Sequence, residues 1–205
     1  RCGMVWIAAE DLGWRPYVQT WLAGLHEDFT EDLKSNLWQL LDNHVDNGLA
    51  FYRQNCKENI PSVDINRVAS LCGLMESLTH REKGGKDIDW TSDPERTDET
   101  LGLLFVFCYA WSIGGNTTAS GMEAFDEFCR NEFDESVPSI PPTGTLYEMF
   151  VDVRHQTMDR WTSVVPSFEY VADSSYLSIL VPTVDTVRYS FLLDACLDVS
   201  KSVLF

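Results

Sequence analysis

TLGLLFVFCYAWSI, residues 100–113, is apolar on nearly every side and stops at Gly114-Gly115. An apolar stripe marks a helix that leans on a core, whereas apolarity all round marks a helix that other elements surround. Paired glycines supply the backbone freedom that ends it. The run from Leu101 to Ile113 is well short of the ~20 residues that span a bilayer. The sequence therefore centres on one buried helix, and its neighbours are expected to pack around it.

Working outward, the upstream chain has a helical period. Tyr17, Trp21, Leu22 and Leu25 mark a short first helix. Thr30 can cap a long second one, in which Leu33, Leu37, Leu40, Leu41, Val45, Leu49 and Tyr52 recur every three or four residues. Pro61 precedes a third, with Ile65, Val68, Leu71, Cys72, Met75 and Leu78 along one side. Residues 80–100, HREKGGKDIDWTSDPERTDET, carry charge, Gly84-Gly85 and Pro94 and read as a loop, so that the buried helix begins at Thr100. Ser120 and Glu123 form a capping box for a fifth helix that turns Met122, Phe125, Phe128 and Cys129 inward.

At Ser136 to Gly144 (SVPSIPPTG) the texture changes, and a boundary is expected there. Tyr147, Met149, Val151 and Val153 alternate with polar and aromatic neighbours as in a strand, and Ser167 to Val171 can supply its partner. Thr183 caps a last helix with Val184, Val187, Phe191, Ala195 and Cys196 near one face. Ser202 to Phe205 reads as a strand cut off as it begins. The fold class is mainly α: a helical module over 12–135, then a small α/β piece over 136–205. With Arg1 first and no basic-then-apolar leader, the expectation is an internal segment of a longer chain.

Composition narrows the function. In 205 residues, 15 Lys and Arg face 32 Asp and Glu, for a net charge of −17. That field repels phosphate backbones and anionic lipid faces, so no nucleic-acid and no membrane partner is expected. With 44% hydrophobic residues the chain has ample core formers. Six cysteines stand singly and read as reduced thiols, mostly on apolar helix faces.

The search for chemistry is nearly empty. There is no phosphate-loop, nucleophile-elbow, H-E-x-x-H or G-x-G-x-x-G pattern. His26, His44, His80 and His155 are too widely spaced for a metal motif and read as surface histidines, so no metal is expected. Asp42, His44 and Asp46 fall on the polar side of the long helix and read as a solvated face. Asn116-Thr117-Thr118 has the form of a glycosylation sequon and reads as helix-start chemistry. Arg67 is the anomaly: a cation in the first turn opposes the helix dipole. It either snorkels over the apolar stripe or meets an anion, such as a phosphate, brought by another part of the protein.

Three stretches bring a family into view: RCGMVW at 1–6, VDINRVASLCGLMESL at 63–78 with FVFCYAWSIGGN at 105–116, and LVPTVDTVRY at 180–189. Together they resemble the dynein heavy chain, in its axonemal more than its cytoplasmic form, from the end of its second AAA+ unit into the start of its third. The resemblance implies that residues 1–11 hold the last strand of the second unit's large subdomain, 12–135 its helical lid, and 136–205 a linker, a β-hairpin and the start of the third unit. It implies a minus-end-directed microtubule motor of the cytoplasm, cytoskeleton and ciliary or flagellar axoneme, with ATP or ADP and Mg in the intact parent. This piece itself should bind no cofactor alone and should not hydrolyse ATP alone. Its partners would be the neighbouring AAA+ units and, through the parent, the microtubule and intermediate and light chains. Arg1 is similar in place to the arginine finger that reaches the neighbouring unit's γ-phosphate. Arg67 is similar to the lid's sensor arginine. Val181, Pro182 and Thr183 match the adenine-flanking linker before a phosphate loop, and Trp14, near the hinge, is a further candidate for the base. A stand-alone acidic module that docks a basic partner is the alternative.

Overall fold

A computed structural model describes residues 2–7, 9–27, 29–80, 82, 84–86, 88, 93–168 and 181–203. In chain order the helices are α1 (Ala9–Leu12), α2 (Arg15–Gly24), α3 (Glu31–Asn55), α4 (Asp64–Thr79), α5 (Pro94–Ile113), α6 (Ala119–Glu132) and α7 (Val184–Asp198). Strands β1 (Met149–Asp152) and β2 (Thr157–Arg160) lie between α6 and α7, flanked by 3-10 turns at Leu146–Glu148 and Trp161–Val164. The described residues are mainly helical with a small two-stranded sheet, as the patterning implies.

α5 is the hub. Every residue from Leu101 to Ala110 is buried, and α3, α4, α6 and β1 all pack on it. The approach of α3 is close because Gly48 has no side chain: a Cβ there would lie 1.9 Å from the Tyr109 hydroxyl. That hydroxyl donates instead to the His44 carbonyl oxygen, at 2.8 Å. α3 turns Leu33, Leu37, Leu41, Val45, Leu49 and Tyr52 inward and is capped by Thr30, whose hydroxyl accepts from the Leu33 N–H.

Several local expectations are corrected. α5 begins at Pro94, not Thr100, because Asp93 accepts from the N–H groups of Glu95 and Arg96 and Pro94 takes a first-turn position that needs no donor. Glu95, Arg96, Asp98 and Glu99 in its opening turns are polar and exposed, which hides them from a search for apolar periodicity. The cap of α6 is Thr118, which accepts from Gly121 N, rather than Ser120. β1 pairs with β2, Met149 opposite Arg160 and Asp152 opposite Thr157, through the tight turn 153–156. Gln156 there has φ 57°. The partner strand read at Ser167–Val171 falls mostly outside the described residues, as do Leu204 and Phe205, and Ser202 and Val203 are not strand.

Residues 2–7 also lie outside any helix or strand. Met4, Val5 and Trp6 are 96%, 85% and 89% exposed. A strand needs a neighbour to take its backbone bonds, and among the described residues none lies beside them. The segment after Ser136 is no free linker. Leu146, Tyr147, Met149, Met158 and Trp161 join the same core as α5. Buried Asp126 of α6 accepts from Leu146 N at 2.7 Å and from Arg130 Nε at 2.9 Å. Arg130 in turn donates to the carbonyl oxygens of Pro141 and Gly144, both at 2.6 Å. α7 then docks through Phe191, which meets Trp161 edge-on at 5.3 Å, and through buried Ala195.

All six cysteines are free thiols, with Cys72, Cys108 and Cys129 buried and Cys2 exposed. Burial pushes the Cys72 thiol up to about 12. Among the described residues no helix is long and apolar enough to cross a membrane.

Candidate functional site

The site is built where three elements converge: the start of α4, the end of α5 and the face of α7 that carries Tyr189, Leu192 and Cys196. They enclose a cleft of about 590 Å³, with Arg67 and Asn66 toward one side and Leu74, Trp111, Tyr189 and Leu192 among its walls. α4 starts here because Pro61 and the extended Val63 end the preceding loop and Asp64 places a carboxylate in the first turn. Arg67 follows one turn later, on the face that Val68 and Leu71 bury.

Arg67 is only 4% exposed. Its guanidinium carbon sits 4.2 Å above the centroid of the Tyr52 ring, a stacking geometry that favours a planar cation. Nη2 donates to Glu58 Oε1, and Nη1 lies 3.7 Å from Asp64 Oδ1. Nε is buried without a hydrogen-bond partner. A guanidinium carries five N–H donors, and this one is anchored by a ring and a carboxylate while its Nε–H is left without an acceptor. The snorkelling reading is therefore wrong: the side chain lies under the surface, and carboxylates at Glu58 and Asp64 offset the adverse dipole.

The surrounding loops are pinned. Glu58 and Thr117 form an isolated antiparallel bridge. Asn116 donates to Ile60 O at 2.6 Å and accepts from Ile60 N at 3.1 Å, and the Tyr52 hydroxyl donates to Asn116 O. The sequon-like Asn116-Thr117-Thr118 is thus consumed by loop pairing and by the cap of α6. Burial pushes the Tyr52 phenol up, and the adjacent Arg67 cation partly counters it.

The other candidates lie elsewhere. Arg1 lies outside the described residues. Trp14 is 5% exposed and donates its indole N–H to Asp46 Oδ1 at 2.7 Å; its neighbour Arg15 bridges Asp42 and Asp46, each at 2.8 Å. Asp42 and Asp46 are thus paired rather than merely solvated. Val181 is exposed, and Thr183 caps α7 in a reciprocal pair with Thr186. His44 is a partner of Glu132, at 2.8 Å with side-chain exposure of 12%, and its ring lies tilted 4.5 Å from that of Phe133, so it is not a surface histidine. The fold also brings the rings of His26 and His80 to 5.8 Å. Among the described residues no group of His, Cys, Asp and Glu could hold a metal ion. Glu58 is the functional candidate that sequence reading missed: a lone acidic residue in a polar loop gives no periodic or motif signal.

An anion such as a nucleotide phosphate fits this arrangement. The test is the buried Nε without a partner on a rigid, aromatic-backed guanidinium that lines a cleft. Among the described residues that line the cleft Arg67 is the one cation, and the sequence carries no phosphate-loop pattern, so these residues contribute to such a site without constituting one.

Comparison with known proteins gives a consistent result. The family model described as the dynein heavy chain AAA lid domain matches residues 37–163. Axonemal dynein heavy chain 6 of Homo sapiens is 39% identical over 206 residues, covering 100% of this chain and 5% of the relative. Axonemal dynein heavy chain 2 of Homo sapiens is 33% identical over 95% of this chain and 4% of its own length. The dynein-1-beta heavy chain of the flagellar inner arm I1 complex in Chlamydomonas reinhardtii is 30% identical, covering 100% of this chain and 5% of that protein. The chain thus spans about a twentieth of the length of the curated relatives it matches.

Proposed function

The chain belongs to the dynein heavy chain family and carries its AAA lid domain, and on that premise we propose that it is a nucleotide-responsive coupling element between adjacent AAA+ units of an axonemal, minus-end-directed microtubule motor. One observation carries the reading: buried Arg67, with its Nε–H unpartnered, lines a cleft at the junction of α4, α5 and α7.

In this reading bound ATP or ADP, with Mg, supplies phosphate charge, and Arg67 is the lid's sensor for it. Tyr52 holds the guanidinium plane, so the cation need not be ordered when an anion arrives. α4 runs from Arg67 to its packing against α7, and α7 is locked to α5 by Phe107, Phe191 and Trp161. A change in lid angle set at Arg67 is therefore passed on as a rigid-body movement, because packed helices do not deform continuously. The anion shifts the lid only by its differential affinity for the two angles. Val181, Pro182 and Thr183 would flank adenine in the next unit, and Arg1 would act across the ring on its neighbour. Trp14 serves the lid core. Microtubule, intermediate-chain and light-chain contacts, and residence in the axoneme, belong to the parent motor.

The experiment is Arg67→Ala in the intact heavy chain. Nucleotide retention in this unit falls and microtubule gliding slows; unchanged retention overturns the sensor role. The 205-residue piece alone turns over no ATP above a boiled control.

A further inference from the structure

Arg67 has an internal anion already in place. We propose that Glu58 is a counter-ion gate: its carboxylate holds Nη2 and neutralises the cation, so that a phosphate approaching Arg67 must compete with that charge and push the carboxylate aside. The proposal rests on the sensor reading of Arg67 and deepens it, naming the residue that sets how readily that site accepts an anion.

Exposure is divided unequally between the two partners. Arg67 is 4% exposed, with its guanidinium stacked on Tyr52. Glu58 has 34% of its side chain exposed and sits in the loop between α3 and α4. Its backbone is held by the bridge to Thr117, and its second oxygen accepts from Ser62 N at a loose 3.3 Å. The carboxylate can therefore rotate toward solvent with its backbone fixed, whereas the arginine cannot leave its ring without emptying a buried site. Carboxylate and phosphate are both anions that seek the same planar donors, and two anions at one cation repel unless one withdraws. With Glu58 engaged, Arg67 is compensated. With Glu58 released, the site presents an uncompensated buried cation, which an entering phosphate stabilises.

Asp64 faces the same guanidinium at 3.7 Å. It also pairs with Arg53 across the surface, so it is shared between two cations and leaves Glu58 as the principal counter-ion.

The test uses the intact heavy chain, with the phosphate-loop lysines of its other nucleotide-binding units replaced so that a fluorescent ADP reports this unit alone. Glu58→Gln keeps one acceptor oxygen for the loop and removes the charge. Its affinity for the probe rises about tenfold, the order for one charge-assisted hydrogen bond no longer contested. Glu58→Asp restores the wild-type affinity. In an Arg67→Ala background Glu58→Gln has no effect, and Glu123→Gln, an exposed acid on α6, has none in either background. Equal tightening by Glu123→Gln overturns the gate in favour of general charge, and weaker or unchanged binding in Glu58→Gln overturns it outright. If Arg67→Ala alone leaves affinity unchanged, the sensor reading fails as well; if it weakens binding while Glu58→Gln is neutral, only the gate fails.

Discussion

The Arg67 guanidinium carbon sits over the Tyr52 ring, 4.2 Å from its centroid, so a residue in the first turn of α4 is backed by the last turn of α3. Tyr52 is 1% exposed and has two jobs: a platform for the cation and a hydroxyl that ties down Asn116. The two are separable. Tyr52→Phe keeps the platform and costs about 1 kcal/mol, the usual worth of one hydrogen bond. Tyr52→Ala leaves a cavity and costs about 3–5 kcal/mol. Urea unfolding followed by circular dichroism measures both, and equal costs would show that the ring's packing contributes nothing.

Gly48 offers a test in which the local and tertiary effects have opposite sign. In an exposed helix interior, Gly→Ala stabilises by about 1 kcal/mol. Here the added Cβ would sit 1.9 Å from the Tyr109 hydroxyl, so the helices must part or Tyr109 must leave its bond to His44. Gly48→Ala is expected to destabilise by about 1–3 kcal/mol. A rise in melting temperature would mean that α3 and α5 are not this close.

Asp126 joins α6 to the segment that follows it. It is 8% exposed and accepts from both Leu146 N and Arg130 Nε. Asp126→Ala strands a buried N–H and releases an arginine that holds Pro141 and Gly144, for a cost of about 3–5 kcal/mol. Limited proteolysis should then cut within 136–145, where the wild type resists. Resistance equal to wild type would show that apolar packing alone holds that segment.

Acid sensitivity should trace in part to Asp46. Burial pushes its carboxyl up, but the Trp14 indole N–H and the Arg15 guanidinium more than reverse this, and it lies below its ordinary 3.8. A carboxyl lowered by folding contributes stability above its unfolded value and loses it as pH falls through the folded one. Unfolding free energy should therefore decline below about pH 4, and Asp46→Asn should flatten that decline while lowering stability at neutral pH. The side chain is half exposed, so the effect is small and screened by salt. An unchanged acid limb in Asp46→Asn would place the sensitivity elsewhere.

Much of the architecture is legible in the residues. The all-round apolarity of 101–113, the stripe of α3 and the Thr30 cap are local signals, each decided within a few turns of chain. The same is true of Thr183, whose cap of α7 follows from its spacing to Thr186. The start of α5 is not legible, because Asp93-Pro94 is punctuation that either ends a loop or begins a helix, and only the buried remainder of the helix selects the second. That β1 pairs with Thr157–Arg160 is not legible in the same way, because pairing depends on which strands meet, which period-2 alternation does not say. Arg67 stood out because its charge opposes the helix dipole, a conflict visible in one dimension.

By itself, then, the sequence determined that a helical module forms around 101–113, that the chain is strongly acidic, and that Arg67 is out of place. Tertiary structure alone decided what answers that anomaly. Glu58 comes from a loop, Tyr52 from another helix and Trp111 from a third, and none bears a periodic relation to Arg67. Periodicity reports which face of one element is buried. Which charge meets which, and whether a buried cation keeps a donor to spare, depends on the packing of elements distant in the chain.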